Sequence, residues 1–180
     1  KGSFRELSTS CRVLHPERLI LPKFNDFRED ISYHWVEGFD LDSGEAVLVP
    51  ACSVYHPFGI DDPELMATHT NGVAAGNTME EAVLHGLLEV VERDAWSIVK
   101  FGRLTAESVS IDDEPENDFL LTIAGKLRDA EIDVSLRDYT PDLGIPVIAA
   151  KAHDLAIDKL MPMEGFGAHL DPKAAASRAL

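Results

Sequence analysis

One stretch of the sequence, residues 70–101, constrains the fold more than any other, because it contains a long helix that is apolar around most of its circumference. The pattern predicts this helix from about residue 78 to residue 101, with Thr78 as its N-cap. At about 100° per residue, one side of the helix is apolar and includes Leu87 and Val90. The polar residues collect on the other side and are Glu81, His85, Glu89, Glu92 and Arg93. A helix suited to burial therefore has a charged stripe that needs an explanation.

An exposed, solvated face is the ordinary explanation of a polar stripe, but two features count against it. The stripe contains no lysine, and Glu89 and Glu92 lie three residues apart, a spacing at which like charges repel mildly. Ala82 and Gly86 leave space beside the carboxylates. A glycine in the middle of a helix costs roughly 1 kcal/mol relative to alanine and often marks the close approach of another group.

A bound divalent cation would explain these features. Mg²⁺ takes oxygen ligands and is commonly held by one or two carboxylates together with phosphate oxygens and water. Glu89 and Glu92 are therefore candidate metal ligands, and Arg93 is a candidate for binding phosphate through its planar guanidinium. From the residues alone, the solvated face and the metal site remain alternatives. Glu81 also has two interpretations, because it lies three residues after Thr78, the spacing of a capping box.

The composition places the chain among ordinary globular proteins and restricts its partners. Its 180 residues suffice for one domain with a core, 45% of them are hydrophobic, and the formal net charge is −16. So acidic a surface argues against nucleic acid as a partner. No apolar run is long enough to span a bilayer, and Cys11 and Cys52 form no CxxC pair. We therefore expect a cytoplasmic protein that binds neither a membrane nor nucleic acid.

The remaining segments predict an α+β fold with a mostly antiparallel sheet and packed helices. Aromatic and β-branched residues on both sides of an Asp-Ser-Gly turn predict a hairpin across residues 33–56. An acidic loop, residues 110–118, separates the long helix from a second amphipathic helix. Strands follow in "IDVSLRDY" and "GIPVIAAKAHD". A last helix begins with Asp171 as N-cap and Pro172 as its first residue.

Three segments together resemble the YcaO family. The stretch "TNGVAAGNTMEEAVLHGLLEVVERDA" is similar to the central signature of that family, and "GFGAHLDPKAAASRAL" resembles its next block. The hairpin "GFDLDSGEAVLVPACSVYHPF" fits the segment that normally precedes the signature. The resemblance covers nearly the whole chain. It implies a YcaO-like fold in which residues 1–180 form the central part of a single, incomplete domain, without the family's earlier acidic helix and its C-terminal region.

The resemblance also implies an activity. Members of the family use ATP and Mg²⁺ to activate a backbone amide of a peptide: a nucleophile adds to the carbonyl, the oxygen is phosphorylated, and phosphate leaves. A neighbouring Cys, Ser or Thr gives an azoline ring, sulfide gives a thioamide, and an amine gives an amidine. The implied partners are a peptide or protein substrate and a protein that delivers it. Since the earlier acidic helix would supply further metal ligands, we expect the 180-residue segment by itself not to hydrolyse ATP.

The resemblance assigns roles to six residues. By position, Glu89 and Glu92 match metal-binding glutamates, and Arg178 matches an arginine that reaches the ATP phosphates. The nucleotide-contacting positions are Asn77, Glu81 and Arg93. These residue types suit phosphoryl transfer, which depends on positioning and on neutralisation of charge by Mg²⁺ and arginine.

Two other functions remain open at this stage. A non-catalytic relative could use the same scaffold to bind a nucleotide or a peptide. A metal-dependent hydrolase could use the carboxylate stripe, although the sequence has no HExxH motif. Outside the stripe, we expect His169 to organise the turn before the last helix and Trp96 to belong to the core rather than to stack on adenine.

Overall fold

The computed structural model describes residues 1–25, 27–59, 62–110, 118–155 and 163–180. These residues form two compact units, residues 1–73 and residues 74–180. Among the described residues, no helix is both long enough and apolar enough to cross a membrane.

The first unit is built around the predicted hairpin. Strand β3 (Trp35–Phe39) pairs antiparallel with β4 (Ala46–Pro50), as the sequence predicts. In the turn, Asp40 accepts hydrogen bonds from the backbone N–H groups of Asp42 and Ser43, and Gly44 has a φ of 70°. The preceding elements are short: β1 (Gly2–Ser3), α1 (Phe4–Leu7) and β2 (Ser32–Tyr33), with β1 and β2 paired antiparallel.

The second unit contains a four-stranded antiparallel sheet and three helices. The strand order is β5-β6-β7-β8. In chain order the elements are α2 (Met79–Gly102), β5 (Glu107–Val109), α3 (Asp118–Asp129), β6 (Ile132–Asp138), β7 (Val147–Asp154), β8 (Met163–Ala168) and α4 (Pro172–Ala179). The expected α+β class and mostly antiparallel sheet are confirmed. Most of the predicted acidic loop, residues 111–117, lies outside the described residues.

The helix ends follow the predicted signals. The Thr78 hydroxyl accepts a hydrogen bond from the backbone of Glu81, and the Asp171 carboxylate accepts one from the backbone of Lys173. The expected role of His169 is confirmed, since its Nδ1 accepts a hydrogen bond from the backbone N–H of Asp171 at 3.0 Å. Strand β8, in contrast, does not follow from the sequence pattern.

Helices cover both faces of the sheet, because the central strand β7 presents apolar side chains on both faces. Val147 and Ala149 pack in one cluster with Leu88 and Ala95 of α2. The alternate residues Ile148 and Ala150 belong to a second cluster, whose helical members are Leu120, Ala175, Ala176 and Ala179. Since successive side chains of a strand point to opposite faces, α2 covers one face of the sheet, and α3 and α4 cover the other.

Two glycines bring α4 very close to β8. A Cβ atom on Gly165 would overlap the carbonyl oxygen of Ala179, and one on Gly167 would overlap that of Ala175. The helix backbone therefore lies directly on the strand, and the small residues Ala175, Ala176 and Ala179 complete the contact. This contact fixes the position of Arg178 on α4.

We predict that Gly167→Ala destabilises the protein by about 1–3 kcal/mol, because the added methyl group must push the α4 backbone away from β8. The measurement is chemical denaturation of the wild-type and variant proteins. Gly38→Ala is the matched control, since this strand glycine has no atom closer than 3.9 Å to the added Cβ. Equal losses in the two variants would contradict the close packing of α4 on β8.

Candidate functional site

Helix α2 runs along β8 with a matched spacing. Three pairs of residues meet along this line: Glu92 with Ala168, Trp96 with Phe166, and Lys100 with Glu164. Four helical residues rise about 6 Å, and two strand residues rise about 6.6 Å. Every second residue of β8 therefore meets every fourth residue of α2. We call the space between these two rows of side chains the α2–β8 groove.

Glu92 lies half-buried at one end of this groove. Burial raises the pKa of its carboxyl group, and the neighbouring negative charge of Glu89 raises it further. The backbone N–H of Ala168 and the positive charges of Arg93 and Arg178 offset only part of this rise. The ionised carboxylate is thus poorly solvated and incompletely neutralised, which favours binding of an additional cation.

Arg93 is held by Glu89 through an ion pair one helical turn long. Its Nε donates a hydrogen bond to Oε1 of Glu89 at 2.9 Å, and about half of the arginine side chain is exposed. The sequence makes Arg93 a candidate for binding phosphate, and in this structure its charge is paired with the carboxylate of Glu89. Exposed pairs at this spacing contribute only about 0.3–0.5 kcal/mol. A bound phosphate can therefore replace Glu89 at little cost.

Arg178 approaches Glu92 and Ala168 from the other face of the sheet. Its Nη1 donates a hydrogen bond to the carbonyl oxygen of Ala168 at 3.2 Å, and its charge lowers the pKa of Glu92. Because α2 and α4 lie on opposite faces, their side chains can meet only around the end of β8. The structure thus brings together four of the six sequence-predicted residues: Glu89, Glu92, Arg93 and Arg178.

Asn77 and Glu81 form a separate pair at the start of α2. The backbone N–H and the side-chain Nδ2 of Asn77 donate hydrogen bonds to Oε2 of Glu81, at 2.7 and 2.9 Å. These bonds, the backbone one first, lower the pKa of Glu81. Gly76 allows the loop to lie this close, since a Cβ there would be 2.5 Å from the backbone nitrogen of Ala82.

The capping interpretation of Glu81 is confirmed in part. Its backbone N–H donates to the Thr78 hydroxyl at 3.3 Å, but its carboxylate interacts mainly with Asn77, the residue before the N-cap, and less strongly with the backbone of Thr78. Glu81 lies eleven residues before Glu92, which is about 16 Å along the helix axis and on nearly the same side. The six residues therefore form two clusters, one at the start of α2 and one around Ala168.

The α2–β8 groove contains a cavity of about 360 Å³. Its lining residues are Glu92, Arg93, Trp96, Glu164 and Phe166. Trp96 packs edge-to-face against Phe166, with ring centroids 6.4 Å apart, and belongs partly to the core, as expected. Sequence reasoning missed Glu164 and Phe166. The sequence does contain a signal for these two residues. They alternate with Gly165 and Gly167 along the strand, which places them on the face opposite α4.

The carboxylates of this site suit Mg²⁺ better than a metal held by protein ligands alone. The described part of the chain contains no group of three or more His, Cys, Asp or Glu side chains arranged to hold a metal ion. Glu89 and Glu92 lie about one turn apart, and Glu92 is poorly solvated. Two carboxylates match the usual protein contribution to a Mg²⁺ site that also includes phosphate oxygens and water. The same finding gives no support to a metal-dependent hydrolase.

The model of one protein family, described as YcaO cyclodehydratase, ATP- and Mg²⁺-binding, matches residues 1–180. The chain belongs to the YcaO family. This confirms the resemblance seen in the sequence, and ATP and Mg²⁺ are the ligands that the family description names.

Relatives of known structure confirm the YcaO fold. A heterocyclase in complex with substrate and cofactor matches 99% of this chain with a TM-score of 0.83 and 27% identity, over 26% of its own length. The YcaO protein of Methanopyrus kandleri, bound with AMPPCP and Mg²⁺, matches 94% of the chain with a TM-score of 0.70 and 34% identity, over 42% of its length. An uncharacterized protein of Methanothermobacter thermautotrophicus is 40% identical over 176 residues, which are 94% of this chain and 44% of that protein. The chain thus spans less than half the length of these relatives.

We predict that Glu92→Gln raises the melting temperature of this YcaO protein at neutral pH, by roughly 1–2 °C after allowance for solvent screening. Burial raises the pKa of Glu92 in the folded state, so its ionised form opposes folding. This penalty is fully present above the folded-state pKa and disappears as the pH falls below the ordinary value of 4.5.

Melting curves between pH 4 and pH 8 check this prediction. The difference between Glu92→Gln and wild type should shrink as the pH falls. Glu37→Gln, an exchange on an exposed position of the hairpin, is the control. A lower melting temperature for Glu92→Gln at neutral pH would show that its charge is instead well neutralised in the folded protein.

Proposed function

We propose that this chain forms part of the Mg²⁺–ATP site of an enzyme that activates a peptide backbone amide by O-phosphorylation. The observation that supports this most strongly is the convergence of Glu92, Arg93 and Arg178 at the Ala168 end of β8. Two arginines and a poorly solvated carboxylate from opposite faces of a sheet suit a site for a polyphosphate and its cation. The family description and the AMPPCP-bound relative point to the same ligands.

In this proposal the residues around Ala168 bind the phosphate end of the nucleotide. Glu89 and Glu92 hold Mg²⁺, and Arg93 leaves Glu89 to donate hydrogen bonds to phosphate oxygens. Arg178 approaches from α4 and adds a second guanidinium. When bound, Mg²⁺ neutralises charge on the phosphates and on the group that leaves. Transfer of Glu89 from Arg93 to the cation keeps every charge of the cluster paired.

Asn77 and Glu81 orient the rest of the nucleotide in the same proposal. Two hydrogen bonds from Asn77 hold the Glu81 carboxylate in one position before a ligand arrives. Both bonds end on Oε2, and a carboxylate accepts hydrogen bonds on either oxygen, so Oε1 can accept from a hydroxyl or amino group. The distance of about 16 Å along α2 separates this function from the phosphate cluster.

The reaction that we propose consumes ATP as a substrate. A nucleophile adds to the carbonyl carbon of the peptide and loses its proton, and the carbonyl oxygen takes the terminal phosphoryl group of ATP with release of ADP. The bond between that oxygen and carbon then breaks, and phosphate leaves. A Cys, Ser or Thr side chain gives an azoline, and sulfide or an amine gives a thioamide or an amidine. The residues of this chain supply positioning and positive charge rather than a covalent intermediate. A partner protein that delivers the peptide and a cytoplasmic location belong to the same proposal.

We also propose that residues 1–180 lie within one YcaO-like domain, because the family match extends across both compact units. A second candidate function is a non-catalytic scaffold of this fold that binds a nucleotide or a peptide. The ion pair in which Glu89 already holds Arg93 favours this alternative, because that arginine then has a structural role. Peptide-dependent consumption of ATP by the full-length protein distinguishes the two.

We predict that Arg93→Lys weakens Mg²⁺–ATP binding by about tenfold in the full-length protein, because lysine lacks the planar fork that binds two phosphate oxygens. Its melting temperature without ligand should change by less than about 2 °C, since a lysine at this position can still pair with Glu89 one helical turn away. Titration calorimetry with ATP and Mg²⁺ measures the affinity. Arg128→Lys, on the exposed surface of α3, is the matched control.

Normal ATP affinity together with a large loss of stability would make Arg93 a structural ion-pair residue and would remove it from the site. If ATP binds but no peptide causes its hydrolysis, the scaffold replaces the enzyme as the function.

A further inference from the structure

Strand β8 is an edge strand of the sheet in the part of the chain that the structure describes. It pairs with β7 on one side only. The backbone N–H of Ala168 faces Glu92, and its carbonyl oxygen accepts a hydrogen bond from Arg178. Both backbone groups of Ala168 therefore point away from β7.

The alternation of an antiparallel ladder extends this orientation along the strand. The backbone groups of successive residues point to opposite sides, so residues at steps of two share one side. The backbone N–H and C=O groups of Glu164 and Phe166 thus point outward with those of Ala168, whereas Gly165 and Gly167 pair with β7. The described edge offers two consecutive pairing positions to another extended chain.

The side chain of Glu164 leaves this edge open. Lys100 and Lys151 hold its carboxylate, at 3.1 and 3.5 Å. Burial by itself would raise the pKa of Glu164, but the hydrogen bond and the charge of Lys100, with those of Lys151, lower it. Only 23% of the side chain of Glu164 is exposed, whereas the residue as a whole is exposed to solvent, so much of its exposed surface belongs to the backbone.

The groove beside this edge has the shape that an added strand requires. Trp96 and Phe166 form an apolar wall of the cavity, and Glu92 and Arg93 lie at its polar end. A chain paired with Phe166 would direct alternate side chains toward this wall. Two residues further along, about 6.6 Å away, its backbone would reach the end of β8, where Glu92 and Arg178 lie.

We propose that the substrate peptide binds as an extended strand added to the outer edge of β8, with its main chain paired to Glu164 and Phe166. This inference rests on the proposed function, because it identifies how the amide reaches the phosphate cluster. Main-chain pairing gives affinity without dependence on sequence, and the wall of Trp96 and Phe166 selects for an apolar residue. The amide that reacts is the one two residues beyond the residue paired with Phe166.

Hydrogen–deuterium exchange of the full-length protein tests this binding mode without any variant. The probe is an acetylated decapeptide of alternating threonine and valine around a central cysteine, at millimolar concentration. We expect exchange at the amides of residues 164 and 166 to slow by about tenfold on its addition. N-methylation of every second amide should abolish this protection when the methylated amides are those that face β8. It should preserve the protection when the methylated amides are those that face away.

Two results of that experiment would overturn the proposal. One is an unchanged exchange rate at both amides at a saturating concentration of the peptide. The other is full protection of both amides before the peptide is added, because another strand of the protein would then already occupy the edge. Neither result bears on ATP binding, so the proposed function would stand or fall on the Arg93→Lys titration alone.

A pair of variants gives a second test. Glu164→Pro removes the outward N–H, and Glu164→Ala removes the same carboxylate but keeps that N–H. We expect Glu164→Pro to bind the decapeptide about fivefold more weakly than Glu164→Ala, the loss that one hydrogen bond predicts. Mg²⁺–ATP affinity serves as the check that both variants are folded. Equal peptide affinities in two folded variants would show that the edge of β8 does not pair with the peptide.

Discussion

The close contact between the backbones of α4 and β8 is the constraint on which the site depends. Gly165 and Gly167 have no side chain on the face toward α4, so the helix lies directly on the strand. Only at this distance can Arg178 bend around the strand and bind the carbonyl oxygen of Ala168. On the opposite face, the spacing of α2 brings Glu92 to the same residue. The end of β8 is thus where side chains from the helices on both faces of the sheet meet.

Without a ligand, the incompletely neutralised charge of Glu92 opposes folding. Burial and Glu89 raise the pKa of Glu92, and the two arginines that approach it are divided between other partners. A helix designed only for stability would place an apolar or a fully paired residue at this position. The incomplete neutralisation of Glu92 has a simple physical meaning if a cation with its phosphates completes the cluster. The Asn77–Glu81 pair differs, because two hydrogen bonds from within the start of the helix already stabilise the charge of its carboxylate.

The α2–β8 groove connects this electrostatic cluster to a wall of aromatic side chains. The matched spacing of helix and strand produces both, since the same row of α2 residues contains Glu92, Trp96 and Lys100. One end of the groove is suited to phosphate and metal, and the other is suited to apolar groups and main chain. The proposed modification of a peptide would use these two environments side by side.

The sequence by itself determined the elements whose signals are local. The hairpin turn, the ends of α2 and α4, and the charged stripe all follow from residues that interact within a few positions of one another. It also determined the family, because the order of the motifs identifies it. Strand β8 could not be recognised, since two glycines among six residues lower its strand propensity and its pairing with β7 is supplied by a distant segment.

Only the tertiary structure decided which charges meet. The sequence placed Glu89, Glu92 and Arg93 on one stripe, but Arg93 and Arg178 are 85 positions apart, and no local pattern gives these two a reason to share a site. Their meeting at Ala168 depends on the packing of both helices against opposite faces of one strand. The burial of Glu92 and the choice of Glu89 as the partner of Arg93 likewise arise from packing, as does the edge position of β8 among the described strands. Desolvation and long-range pairing are properties of the folded chain, and no local pattern of residues encodes them.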